Sequence, residues 1–266
     1  MQIVKKYPDG VFSWIDLSTT DLAGAHAFYS GLFGWDVDDQ PLPGGGSYTQ
    51  FRIDGHSVAG AGQMMPDMLD AGVPPVWTSY VNVDDADATA ARAAEAGGVV
   101  FVPPMDVMAQ GRMALIQDST GAPFGIWQPA AHIGAQVVNQ PNSLVWNELQ
   151  TRDREKANAF YSHVFGWTNE LSDSGYVMWY QDGRVHCGAM TLAEEWGDAP
   201  SNWLVYFLVD DVDAAAARAQ ELGGSVASGP FDVSGMGRMA VMQDPQGAVF
   251  AVIRFNGPAD PPPGTE

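Results

Sequence analysis

The chain of 266 residues has a single cysteine, Cys187, so no internal disulfide can form and a cysteine-built metal cluster is excluded. It is also poor in cations: 12 Lys and Arg stand against 32 Asp and Glu, a formal charge of −20. Such a field repels phosphate backbones and anionic lipid, which argues against nucleic acid and membrane as partners. Its plainest consequence is solubility. No apolar run approaches the roughly 18 residues of a membrane helix. The opening MQIVKKYPDG has no apolar core after its lysines, so a cytoplasmic protein without a secretory leader is expected. Hydrophobic residues are not scarce, at 46%, and one large or two small folded domains are expected.

What the chain does have is an internal repeat. WIDLSTTDLAGAHAFYSGLFGW from Trp14 returns as WNELQTRDREKANAFYSHVFGW from Trp146, an offset of 132 (146 − 14). WTSYVNVDDADATAARAAEAGG from Trp77 returns as WLVYFLVDDVDAAAARAQELGG from Trp203, an offset of 126 (203 − 77). The pair GRMALIQDSTGAPFGI and GRMAVMQDPQGAVFAV follows, from Gly111 and Gly237. Within each half a weaker repeat is visible. Ile15 and Leu17 alternate with Trp14, Asp16 and Ser18 as in a strand, then apolar residues from Leu22 to Phe33 fall at helical spacings, closed by Gly34. The DD pairs at 84–85 and 210–211 read as helix caps, and DSTG and DPQG as hairpin turns. The expected fold class is therefore α+β: four βαβββ modules in two tandem domains, 10–128 and 144–255. A linker is expected at 129–143 and a mobile tail at 256–266. Each half is expected to fold around its own core, with the cups completed by the pairing of modules or domains.

This organisation resembles the vicinal oxygen chelate superfamily, also called the glyoxalase/bleomycin-resistance/dioxygenase superfamily. AFYSGLFGW, AFYSHVFGW, YVNVDD, YFLVDD, GRMA and the two hairpins carry the likeness. It looks closest to two-domain actinobacterial members labelled glyoxalase-like proteins or hydroxylases. The superfamily contains lyases, isomerases, dioxygenases and drug binders, so the likeness implies fold more than reaction. In its metal-dependent members, His, Gln or Glu stand at inward positions of the first and last strand of each module. Counting from the cap and hairpin aspartates places Trp14, Thr78, Trp146, Leu204, Gly125 and Ala251 there, with Ala59 and Cys187 near the same depth. Three or four converging N, O or S donors are needed for a catalytic transition metal, and none of the five histidines falls on these positions. His186 and Cys187 are neighbours on a strand and should point to opposite faces. No metal and no cofactor is expected.

If the strands keep the family's orientation, each half is a cup walled by aromatics with one carboxylate near its floor. Trp14, Asp16, Thr78, Tyr80, Asn82 and Trp127 line the first; Trp146, Glu148 and Tyr206 line the second. Gly125 and Ala251 would leave room for a planar organic ligand. Two readings of the carboxylates stay open. Arg112 and Arg238 can neutralise Asp16 and Glu148, which makes them structural. An unpaired carboxylate instead rises in pKa and becomes a general base, so Asp16 and Glu148 are the catalytic candidates. The run PGGGS at 43–47 lacks the context of a phosphate loop and reads as a flexible hairpin or lid beside the first cup, and Met64, Met65 and Met68 read as a connecting loop or an adaptable apolar lip. The expected function is metal-independent binding, or conversion, of a small aromatic or polycyclic molecule, as in drug sequestration or natural-product biosynthesis. Alternatives are a metal-dependent glyoxalase or dioxygenase and a scaffold with filled cups. The expected partner is a small aromatic or hydrophobic ligand, and the expected state a monomer or weak homodimer.

Overall fold

A computed structural model describes residues 1–264. The first half forms one eight-stranded sheet in the order β2-β3-β4-β1-β5-β8-β7-β6. Its strands are β1 (Phe12–Thr19), β2 (Asp36–Pro41), β3 (Ser47–Ile53), β4 (His56–Gln63), β5 (Val76–Asn82), β6 (Val99–Val107), β7 (Gly111–Gln117) and β8 (Pro123–Pro129). The second half repeats that order with β9 (Leu144–Thr151), β10 (Thr168–Leu171), β11 (Val177–Gln181), β12 (Arg184–Thr191), β13 (Asn202–Leu208), β14 (Ser225–Val233), β15 (Gly237–Gln243) and β16 (Val249–Phe255). In both, the central antiparallel pair joins the first strands of two modules, β1 to β5 and β9 to β13. The expected α+β class, with two tandem halves of two modules each, follows directly from this arrangement.

The helices begin and end where their local chemistry dictates. Asp21 accepts the Gly24 N–H at the start of α1 (Leu22–Phe33), and Gly34 ends it at φ 73°, a left-handed conformation that glycine adopts without strain. Asp153 and Gly166 do the same for α4 (Arg154–Phe165). Asp85 and Asp211, the second members of the two DD pairs, cap α3 (Ala86–Glu95) and α5 (Val212–Glu221). The methionine-rich connection is not simply a loop: Met65 opens a short helix, α2 (Pro66–Asp70). None of the described helices is long and apolar enough to cross a membrane.

The cores overturn the expectation that each half packs on itself. One core joins Ile15, Leu17, Phe28, Tyr29 and Phe33 of the first module to Phe207, Val212, Ala216 and Phe250 of the fourth. Another joins Ala90, Phe124 and Ile126 of the second module to Phe160, Tyr161 and Trp167 of the third, with Trp203 of the fourth beside them. Buried polar chains lock the exchange. Trp77 Nε1 donates to the Tyr29 hydroxyl (3.0 Å), which donates to Asp244 of the fourth-module hairpin (3.0 Å). Trp203 and Tyr161 repeat this toward Asp118, at 2.8 Å for each bond. The other oxygen of each aspartate accepts backbone N–H groups of its own turn, from Thr120 and Ala122 or from Gln246, Gly247 and Ala248. Each hairpin thus turns on the same residue that ties it to the opposite half.

Residues 256–264 run against the body of the protein. Asn256 N–H bonds the Met236 carbonyl, Asn139 Nδ2 reaches the Asp260 carbonyl, and Arg184 reaches that of Pro261. Thr265 and Glu266, the end of the expected mobile tail, lie outside the described residues.

Candidate ligand-binding cups

Alternation along β1 sends Trp14, Asp16 and Ser18 to one face of the first sheet and Ile15 and Leu17 to the other, although Trp14, Tyr80 and Trp127 are themselves buried and continuous with the apolar cluster that holds Ile15 and Leu17. Strand pairing then builds the cup floor. Trp14 lies opposite Tyr80, Asp16 opposite Thr78, Asp16 beside Gly60, Tyr80 beside Gly125, and Trp127 opposite Met113. The Tyr80 and Tyr48 hydroxyls both donate to the Asp16 carboxylate at 3.3 Å. Trp14 Nε1 in turn donates to the Tyr48 oxygen at 3.0 Å. The second cup repeats the design: Trp146 Nε1 donates to the Tyr176 hydroxyl (2.8 Å), the Tyr206 hydroxyl donates to Glu148 (2.9 Å), and Tyr176 also bonds Glu148.

Tyr48 and Tyr176 were not among the residues singled out from sequence. Their signal was a repeated tyrosine, GSYTQF against SGYVMW, at an offset of 128 (176 − 48). Glycine makes room for them. A Cβ at Gly60 would sit 2.0 Å from the Tyr48 hydroxyl oxygen, and one at Gly188 would sit 2.5 Å from Tyr176. Gly125 likewise admits the protein's own Tyr80 ring, 2.1 Å from where a Cβ would stand, so the space there is not left for a ligand. Ala59 and Cys187, placed near cup depth from sequence, belong to the shared cores; Gly60 and Gly188 stand at the level of the carboxylates.

Neither arginine pairs with a cup carboxylate. Arg112 binds Asp87 (2.7 Å) and Asp106 (2.9 Å), and Arg238 binds Asp213 (2.6 Å) and Asp232 (3.1 Å), all on the outer faces. The cause is register: Met113 faces Trp127 inside the cup, so Arg112 beside it must face out. Among the described residues Asp16 therefore has no cationic partner. Burial pushes its pKa up to about 6, against the lowering pull of the two tyrosine hydroxyls. Burial also raises Glu148, opposed by Tyr206, Gln150 and Tyr176. Asp16 is half-buried, whereas Glu148 is only 6% exposed.

Of the other expected lining residues, Thr78 stands half-buried across from Asp16, and Trp127 faces the cup. Asn82 does not join the carboxylate's network: it is buried, and its Nδ2 bonds the carbonyls of Tyr7 and Pro8. His132 is an unexpected member. It packs edge-on over Trp14, centroids 4.4 Å apart, and its carbonyl accepts from Trp127 Nε1. Burial lowers its pKa to about 4, so the ring is neutral near pH 7, and its Nε2 is buried without a partner. Cys187 Sγ lies 3.7 Å from His186 Nε2, closer than simple alternation implies. Among the described residues no three His, Cys, Asp or Glu side chains converge. Each cup offers one carboxylate and two phenols whose pKa values burial drives upward, joined in the second by the Gln150 amide, a donor set that does not fit a His- and Glu-built metal centre.

The family model described as Glyoxalase/Bleomycin resistance protein/Dioxygenase superfamily matches residues 11–126 and 140–252. The chain is 42% identical over 253 residues to "Putative glyoxylase CFP32" of Mycobacterium tuberculosis, covering 94% of this chain and 96% of the relative. It is 37% identical over 265 residues to the anthracycline biosynthesis protein DauV of Streptomyces sp. strain C5, covering 94% and 95%. Among solved structures it resembles the Mn(II)-bound glyoxalase from Novosphingobium aromaticivorans, with a TM-score of 0.65 and 16% identity, over 96% of this chain and 85% of that one. That last likeness is one of fold.

Proposed function

The chain belongs to the glyoxalase/bleomycin resistance protein/dioxygenase superfamily, and from that premise we propose that its first cup binds a small planar polyketide-like aromatic without a metal ion. The single observation behind this is the Asp16 carboxylate: half-buried, without a cation, oriented by two tyrosine hydroxyls and walled by Trp14, Trp127 and His132. Such a group accepts a hydrogen bond, or a proton, from a phenol or enol whose ring lies against the aromatic wall. With a pKa raised to about 6, Asp16 is ionised at neutral pH and is a stronger base than an ordinary aspartate. The relative named for anthracycline biosynthesis supports a hydroxylated polycyclic ligand.

Calorimetric titration with a dihydroxyanthraquinone tests this. Asp16→Asn keeps the shape and removes the charge, and should weaken binding by roughly 10- to 100-fold, the scale of one hydrogen bond to a charged group. Glu148→Gln should leave affinity unchanged. No binding to the wild type, or equal affinity in Asp16→Asn, would overturn the assignment.

A further inference from the structure

In the first half, β1 and β4 pair in parallel only from Asp16 and Gly60 onward. Upstream the two strands part, and residues 134–137 are wedged between them. Ala135 N–H donates to the Ser13 carbonyl (2.7 Å), and Gln136 and Val137 N–H donate to that of Ser57 (2.7 and 3.2 Å). Ala135 and Val137 are fully buried there. Gly134 lies so close that a Cβ would stand 2.4 Å from the Ser13 carbonyl oxygen. A short segment, bent at Gln136 and Val137, thus seals this cleft with three backbone N–H groups.

The second half opens the same cleft and does not seal it. β9 and β12 pair from Glu148 and Gly188, and upstream of them lies a cavity of about 370 Å³. Leu144, Trp146, Val185 and His186 line it, with Asp260 and Pro263 of the tail at its wall. The sequence explains the difference. The bond from Ala130 N–H to the Gln110 carbonyl has its counterpart in Asn256 and Met236, so the offset of 126 (256 − 130) holds as the tail begins. Continued without a gap, it places Asp260, Pro261, Pro262 and Pro263 where Gly134, Ala135, Gln136 and Val137 form the wedge. Proline has no backbone N–H. The three donors that seal the first cleft are deleted from the second. Independently, His186 Nδ1 is buried against this cavity without a hydrogen-bond partner.

We propose that the cleft between β9 and β12 is a second binding site, for a short peptide that follows the path of residues 134–137 and presents consecutive backbone N–H groups. Strand addition of this kind draws affinity from main-chain hydrogen bonds and selectivity from side-chain fit. The carbonyls of Val145 and Val185, the counterparts of Ser13 and Ser57, are its acceptors, and the Trp146 and His186 rings form its wall. Asp182 and Asp260 outnumber Arg184 among the charged groups lining the cavity, which disfavours an anionic peptide.

The probe is acetyl-Gly-Ala-Gln-Val-amide, the sequence of the natural wedge, followed by NMR on the full chain. At millimolar concentration it should shift the His186 ring and Trp146 indole signals saturably. Acetyl-Gly-Pro-Pro-Pro-amide, which lacks the donors, should bind at least about tenfold more weakly, as expected for losing several hydrogen bonds. In the protein, Asp260→Gly with Pro261→Ala, Pro262→Gln and Pro263→Val restores the wedge. That variant should melt a few degrees higher and lose the response. Equal binding of the two peptides, the absence of a saturable shift at the cleft, or a folded wedge variant that binds like the wild type would each overturn the proposal. If the variant does not fold, the peptide pair still decides.

Discussion

The two cups share a framework and differ in what they leave accessible. Trp14, Tyr48, Asp16 and Tyr80 in the first correspond to Trp146, Tyr176, Glu148 and Tyr206 in the second, joined by the same chain of hydrogen bonds. In the first, the carboxylate remains half-open and a neutral histidine leans over the indole. In the second, Leu204, Tyr206, Met239, Ala251 and Ile253 form a hydrophobic cluster of their own, and Glu148 lies buried beside it with Gln150 Nε2 donating at 3.3 Å. Duplication has preserved the scaffold of the carboxylate while changing access to it: a carboxylate that solvent can reach is equipped to meet a ligand, and one sealed by hydroxyls and an amide mainly organises its own cup.

The largest effect is expected where the cups differ by one methyl group. Gly125→Ala places a Cβ against the Tyr80 ring and should lower stability by about 3 kcal/mol, the upper range for overpacking. Ala251→Gly, the reciprocal change, should cost about 1 kcal/mol or less, chiefly backbone entropy and one lost methyl. Urea denaturation of both measures the contrast; equal losses would mean that Tyr80 and Tyr206 sit alike.

Next in size is the charge itself. The folded pKa of Asp16, about 6, lies above the ordinary aspartate value of 3.8, so the folded protein holds a proton more tightly than the unfolded chain between those values. Stability therefore falls as pH rises through that window, and the penalty is complete above it. Asp16→Asn should stabilise the protein at pH 8 by about 2 kcal/mol, discounted for the solvent that reaches a half-buried group, and the gain should vanish near pH 4. Glu148→Gln should move in the same direction. Thermal melts across pH check both, and a destabilised Asp16→Asn at pH 8 would show that the tyrosine hydroxyls more than compensate the buried charge.

The smallest effect is expected from the arginines. Arg112→Ala and Arg238→Ala break surface pairs on the outer faces, so neither should alter dihydroxyanthraquinone affinity or shift the Asp16 titration followed by NMR. A moved Asp16 pKa in Arg112→Ala would reveal long-range coupling between that guanidinium and the cup.

The repeat, the capping aspartates, the hairpins and the inward alternation of Trp14, Asp16 and Tyr80 were legible because each depends on neighbours within a few residues or on the repeat itself. Tyr48 escaped because a strand tyrosine becomes meaningful only when β4 brings Gly60 beneath it. The pairing of Arg112 with Asp16 failed because two opposite charges in one sequence carry no information about which face of the sheet each occupies; ladder register supplies that. The expectation of one core per half failed for a related reason. The apolar face of α1 reads the same whichever sheet covers it, and the choice of the fourth module is made by shape and by the bond from Tyr29 to Asp244.

By itself, then, the sequence determined local geometry and its fourfold recurrence: strand periods, helix ends, turns, and prolines that forbid N–H donors at 261–263. Tertiary structure alone decided which modules share a core, that Gly60 and Gly125 admit the protein's own tyrosines, and that Asp16 stays half-open while Glu148 is sealed. Backbone preferences act over a few residues and can be read in order along a chain. Burial and the pKa shifts it causes depend on groups that meet only after the sheets have closed.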